Sequence, residues 1–147
     1  MKQENLKLLG DVNRAIIKFR GAYSEWSSKH GISYNEMLVL YTIRENSYCT
    51  QKQICENYLL PKQTIHNVIA RMRKAGYLIC DESHSSGREK AFALSKEGSA
   101  YAACFMESLD SMEAKALETL GTEKLQALTQ LVREYGMALH QALDESR

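Results

Sequence analysis

The sequence predicts a mainly α-helical fold with one small β-hairpin, and three observations predict it. Apolar residues recur at spacings of three and four along both ends of the chain. Helix-start signals of the form S-x-x-E and T-x-x-Q open the shorter periodic stretches between them. Strand-like runs occur only between residues 77 and 95, on either side of a polar, Ser- and Gly-containing stretch.

Leu6, Leu9, Val12, Ile16, Phe19, Tyr23 and Trp26 share one helical face, so a long first helix runs to about His30-Gly31. A second helix follows from Ser33 to Asn46, opened by Ser33 and Glu36 as a capping box in which each side chain reaches an unpaired backbone N–H of the first turn. Thr50 and Gln53 repeat the device and start a short third helix ending near Tyr58. The fourth helix runs from Pro61 to Ala75. Proline at its first position loses no hydrogen bond, and Gly76 suits a left-handed stop. Tyr77-Leu78-Ile79-Cys80 and Ala91-Phe92-Ala93-Leu94 then read as two strands, with DESHSSGREK between them as a hairpin loop longer than the tightest turns. Ser95 caps a fifth helix from Lys96 to about Leu120, and Gly121-Thr122 separates it from a sixth. The sixth carries Leu125, Leu128, Leu131, Val132, Tyr135, Leu139 and Leu143 as a continuous stripe. Such a stripe has to be covered; the first and sixth helices could pack only on each other, but their combined apolar faces suggest a partner subunit, and two-fold homodimers dominate soluble oligomers.

Composition narrows the function classes. With 44% hydrophobic and 25% charged residues among 147, the chain is an ordinary globular protein. It has no apolar h-region at its start and no run near the roughly 18 residues that span a bilayer, so it is read as a soluble cytoplasmic protein without a membrane partner. The net charge of +1 hides an asymmetry. Residues 50–79 hold five basic side chains and one acidic, whereas 96–147 hold five and nine. A positive segment of that kind points to an anionic partner.

Helix, short helix, turn, helix and two-stranded hairpin, in that order, make a winged helix-turn-helix. Ile65, Val68, Ile69 and Met72 lie on one face of the fourth helix. Gln63, Asn67, Ala70 and Lys74 lie opposite, flanked by Thr64, His66 and Arg71. The outer face has the chemistry that reads base edges: Gln and Asn pair with adenine N6 and N7, Arg with guanine O6 and N7, and Thr or Ala touches the thymine methyl. The N-terminal part of such a helix reaches bases, which makes Lys62, Gln63, Thr64, His66 and Asn67 the expected base readers. Arg71, Arg73 and Lys74 are expected on phosphates, with an internal salt bridge the alternative for Arg73. Thr50, Gln51 and Lys52, at a helix N-terminus, suit a phosphate anchor. Ser86, Arg88 and Lys90 sit at or beside the hairpin tip, where an arginine can enter a narrow minor groove.

On the segment LPKQTIHNVIARMRKAGYL, the wing SSGREKAFALSKEG and the two long terminal helices, the chain resembles the MarR family of winged helix-turn-helix regulators over nearly its whole length. The resemblance implies one domain, residues 1–147. Within it 1–31 and 97–147 supply dimerisation helices, and 33–95 form the lobe, with a recognition helix at about 61–75 and a wing at about 77–95. It further implies a homodimer on a pseudo-palindromic double-stranded DNA operator, most often as a repressor released by a small, often aromatic, effector. The wing arginine maps to Arg88. The carboxylate that commonly stands two residues before it is replaced here by Ser86. By the same resemblance Trp26, His30, Tyr34, Met37 and Tyr41 border an effector cavity; core packing is the plainer reading of these residues.

Other classes fit less well. The basic helix could instead serve as a protein-interaction module for an acidic surface. His30, His66, His84 and His140 lack the i, i+4 spacing of a helical metal site, so neither a metal nor another cofactor is expected. No nucleophile signature, phosphate loop or paired carboxylates mark an enzyme. The scattered Cys49, Cys55, Cys80 and Cys104 suit buried free thiols better than disulfides. Cys49 and Cys55 are what a thiol-responsive regulator would use.

Overall fold

The computed structural model describes residues 1–146. The chain divides into two compact units, residues 1–106 and 107–147, with the boundary inside the fifth helix. In the first unit α1 (Gln3–Lys29), α2 (Tyr34–Asn46), α3 (Gln51–Tyr58) and α4 (Lys62–Lys74) precede a three-stranded sheet, and α5 (Lys96–Leu120) begins directly after it. The second unit consists of the rest of α5 and of α6 (Thr122–Glu145).

The core of the first unit is built where the helical stripes converge. Ile65, Val68, Ile69 and Met72 of α4 are all buried, as their spacing requires, together with Met37, Leu40 and Ile43 of α2, Ile54 of α3, and Leu78 and Phe92 of the sheet. α3 and α2 both pack on α4. In the second unit no residue of α6 is buried, and Leu128, Leu131, Val132, Leu139 and Leu143 stay exposed on the predicted stripe.

Three local features differ from expectation. Pro61 is the N-cap of α4, at φ −61° and ψ 140°, and not its first helical residue; it offers no side-chain cap, so the helix starts one residue later. Ser33 does accept a hydrogen bond from Glu36 N–H at 3.1 Å, but the Glu36 carboxylate is engaged by Tyr101 and Arg71, partners remote in sequence. At Thr50 and Gln53 the capping box is complete in both directions.

The third difference is the wing. Residues 81–90 are mostly strand, because β2 (Leu78–Ser86) and β3 (Glu89–Leu94) pair up to Ser86 opposite Glu89 and turn through Gly87, at φ +55°. Four residues of β2 oppose only Lys90 between the Asp81–Ala91 and Ser86–Glu89 pairs, a wide irregularity filled by side chains. Ser85 Oγ donates to the Asp81 carbonyl at 2.7 Å and accepts from Ala91 N–H at 3.0 Å, standing in for the missing ladder. His84 Nδ1 lies 2.8 Å from the Asp81 carboxylate, and the His84 ring stacks on Tyr48 at 4.0 Å. The residues that suggest a loop are thus the ones that let the strand continue. A short β1 (Cys49–Thr50), absent from the sequence reading, pairs antiparallel with β3 in the order β1-β3-β2 and ties the start of α3 to the wing.

Of the four thiols only Cys49 is fully buried; Cys55 and Cys80 are partly exposed and Cys104 is exposed, so the expectation of buried thiols holds at one position. Burial pushes the Cys49 thiol up from 9.0 to about 12. The unfolded chain ionises first, so the associated stability is complete below pH 9 and is lost as the pH rises toward 12, at about 1.4 kcal/mol per pH unit. Urea unfolding at pH 8, 9 and 10 should show the decline beginning above 9. Cys49→Ala should flatten it between 9 and 10, and an unchanged slope in the variant would place its origin elsewhere.

Candidate nucleic-acid interface

A groove of about 540 Å³ opens between α3, α4 and the wing. Gln51, Lys52, Lys62, His66, Arg73, Arg88 and Lys90 line it, giving one wall for each of the three elements that the sequence pattern assigns to an anion. Lys62, Gln63, His66, Asn67, Ala70, Arg71 and Lys74 are exposed on α4 and Thr64 is half-buried, so the outer face is polar and cationic along its whole length. Lys52, Ser86, Arg88 and Lys90 are exposed too. The fold therefore brings the predicted residues together around one helix.

Several of them already have partners. Gln63 Nε2 donates to Asn67 Oδ1 at 2.8 Å, one helical turn along, which orients the Asn67 amide while leaving its Nδ2 hydrogens free to donate. Gln51 Nε2 donates to the Lys62 carbonyl at 3.1 Å and joins α3 to the start of α4. Arg71 Nη2 lies 3.6 Å from Glu36 Oε2, so the side chain assigned to phosphate has an internal carboxylate beside it. Arg73, expected on phosphate or in an internal salt bridge, lies over the Phe92 ring at 5.2 Å and lines the groove.

Glu89, to which no sequence pattern gives a role, lines the groove. Its Oε1 accepts from Lys52 N–H at 3.1 Å, so a wing carboxylate occupies a first-turn amide of α3, the position expected to anchor phosphate. Its place next to Arg88 is the only signal the sequence offers; the contact with residue 52 depends on the sheet. Cys55 also lines the groove, and burial raises its thiol above the ordinary 9.0 despite the opposing charge of Lys62, which makes it a poor thiolate.

A second pocket, of about 410 Å³, lies against α1, α2 and the α3–α4 turn. Tyr34, Met37 and Tyr41 line it as expected, with Phe19, Arg20, Tyr23, Asn57, Tyr58 and the turn residues Leu59 and Leu60. Trp26 and His30 do not. Their rings stack on each other at 4.5 Å, Trp26 is buried, and His30 Nδ1 donates to the Trp26 carbonyl at 2.8 Å. Leu59 is 85% exposed with a left-handed φ of +52°, an uncommon conformation for a leucine. Leu59 and Leu60, where a polar turn is usual, are what in the sequence could have marked this pocket's rim.

A family model described as MarR family matches residues 30–88, which include the groove from Gln51 to Arg88. The chain is 26% identical to NMB1585, a MarR family regulator from Neisseria meningitidis, with all of both chains covered and a TM-score of 0.85. The chain is similar to MarR family regulators over its whole length. The MarR fold recurs in NadR in complex with 4-hydroxyphenylacetate, at 20% identity, covering 84% of this chain and 91% of that one, with a TM-score of 0.70. It recurs also in Bordetella bronchiseptica BpsR, whose DNA binding is regulated by 6-hydroxynicotinic acid, at 15% identity, with 85% and 93% covered and a TM-score of 0.60. No curated protein matches the sequence. Among the described residues no group of three His, Cys, Asp or Glu could hold a metal, and no helix is long and apolar enough to cross a membrane.

Proposed function

We propose that this chain is a homodimeric, sequence-specific DNA-binding transcriptional regulator of the MarR family, a repressor released by a small aromatic effector. The observation that supports it best is the division of α4: its inner face is buried to 5% exposure or less at Ile65, Val68, Ile69 and Met72, while its outer face presents amides and cations beside a groove flanked by Lys52, Arg88 and Lys90. Lys62, Gln63, Thr64, His66 and Asn67 read bases. Thr50, Gln51, Lys52 and Lys74 hold the backbone, and Ser86, Arg88 and Lys90 approach the minor groove. The exposed stripe of α6 is the surface that a second copy covers, placing two recognition helices on half-sites one helical turn apart, roughly 34 Å.

The second pocket is the effector site in this reading. Phe19, Tyr23, Tyr34, Tyr41 and Tyr58 bring aromatic rings to it and Arg20 brings a cation, which together suit a small aromatic acid. NadR in complex with 4-hydroxyphenylacetate, and BpsR, whose DNA binding is regulated by 6-hydroxynicotinic acid, support this choice of ligand class.

Mobility shift and light scattering test the reading together. A dimer should bind DNA selected from a random duplex library, and its affinity should fall steeply with salt. A monomer, or no shift of any duplex at low salt, overturns it, and capture by an acidic protein in that case would favour an interaction module. Removing the carboxylate that occupies the α3 amide should help: Glu89→Gln is expected to raise affinity for any duplex about two- to fivefold, the scale of an exposed ion pair of roughly 0.4–1 kcal/mol. Weaker binding in the variant would mean that Glu89 orders the groove more than it repels phosphate.

A further inference from the structure

The recognition helix is fastened at its C-terminal end to the beginning of α5. Ser95 N–H donates to the Tyr77 carbonyl at 3.0 Å, Ser95 Oγ donates to the Gly76 carbonyl, and the same Oγ accepts from Gly98 N–H at 2.9 Å. Gly98 lies so close that an added Cβ would stand 2.0 Å from the Tyr77 oxygen. One turn further along α5, the Tyr101 ring stacks on Tyr77 at 4.0 Å and 9°, with Phe105 against its edge at 4.9 Å.

The Tyr101 hydroxyl leaves this stack and donates to Glu36 Oε1 of α2 at 2.6 Å, while the other carboxylate oxygen faces Arg71 of α4 at 3.6 Å. The two contacts of Glu36 differ in weight. The Glu36 side chain is 12% exposed and Arg71 is 60% exposed, so solvent weakens the ion pair, whereas the short phenol bond to a largely buried carboxylate is costly to remove. Burial, and after it the Glu36 bond, hold the Tyr101 phenol above its ordinary 10.0, so it remains a donor throughout the physiological range.

We propose that Tyr101, acting through Glu36 and Arg71, is a positioning residue that fixes the angle of the recognition helix to α5 and thereby sets the half-site spacing this protein accepts. The proposal rests on the DNA-binding reading above. It gives Arg71 a role different from a phosphate contact. It also gives the aromatic pocket a lever, because α2 carries Glu36 among the pocket residues Tyr34, Met37 and Tyr41, and an occupant that shifts α2 acts on α4 at Arg71.

Tyr101→Phe is the decisive variant, because it keeps the ring stack and removes only the hydroxyl. The probe is a duplex selected by the wild-type protein from a random library, re-made with its half-sites one base pair closer and one farther apart. Wild type should prefer the selected spacing by roughly tenfold or more, and Tyr101→Phe should bind that duplex roughly tenfold more weakly while its preference among the three spacings falls below about threefold. A mere loss of stability would lower all three equally, so an equal loss, or an unchanged spacing profile, overturns the proposal. Arg71→Gln should flatten the profile too while leaving the slope of log affinity against log salt unchanged. A slope reduced by about one would return Arg71 to phosphate and break the chain of contacts. Amide exchange gives an arm without DNA: residues 70–76 should exchange faster in Tyr101→Phe while 52–57 do not, and equal rates overturn the linkage. If wild type itself selects no duplex, the DNA-binding reading fails and the proposal with it; if wild type selects and the variant matches it, the proposal alone fails.

Discussion

Asn67→Ala is expected to weaken binding to the selected duplex by about 5- to 150-fold, the 1–3 kcal/mol of a bidentate amide contact to adenine, and to change binding to random duplex little. The expectation rests on where Asn67 stands. It is exposed, in the second turn of α4, on the face opposite Ile65, Val68, Ile69 and Met72. Its Oδ1 accepts from Gln63 at 2.8 Å, and a carbonyl oxygen has a second lone pair for an adenine amino group while Nδ2 donates to N7. Lys74, at the other end of α4, carries charge without that geometry. Lys74→Ala should therefore weaken selected and random duplex about equally and lower the salt slope by about one. Titrations of both variants against both duplexes decide the matter: equal selectivity in the two would remove the division of the helix into base-reading and phosphate-holding ends.

Gly98→Ala should be the most destabilising of the single-methyl changes considered. In a helix interior alanine normally gains about 1 kcal/mol over glycine. At Gly98 the new Cβ would stand 2.0 Å from the Tyr77 oxygen and 2.8 Å from its carbonyl carbon, both backbone atoms that cannot swing aside. Separation of α5 from α4 relieves the clash only by breaking the Ser95 bonds to Gly76 and Tyr77, and the net loss should be about 2–4 kcal/mol. Gly21 is the control. It lies in α1 with nothing within 4 Å of its added Cβ, so Gly21→Ala should hold or raise stability by up to about 1 kcal/mol. Chemical denaturation of both variants measures the difference, and a Gly98→Ala protein as stable as wild type would show that the α4–α5 junction yields.

How far the sequence could be read follows the range of the interactions involved. The α4 stripe, the Thr50–Gln53 capping box, the Ser95 cap and the left-handed stop at Gly76 all depend on residues within about four positions of one another, and all stand in the structure where their spacing puts them. Residues 81–90 look like a loop for an equally local reason, their Ser, Gly and charge. Ser85, Asp81 and His84 instead satisfy one another and the opposing strand, which no local propensity expresses.

What the sequence determined by itself was therefore periodicity and caps: which residues share a helix face, where helices start and stop, and that α4 has one apolar face and one polar, cationic face. Tertiary structure alone decided which partners those residues meet. Glu36 leaves its own helix cap for Tyr101, 65 positions away, and Glu89 reaches back 37 positions to the first turn of α3. Tyr34, Met37 and Tyr41 share a pocket with Phe19 and Leu59 while Trp26 and His30 close on each other. The physical reason is one of scale. Backbone geometry fixes the direction of a side chain from its neighbours in sequence, whereas a carboxylate or a ring takes the best partner the packed chain brings within reach, and that choice exists only after the elements have met.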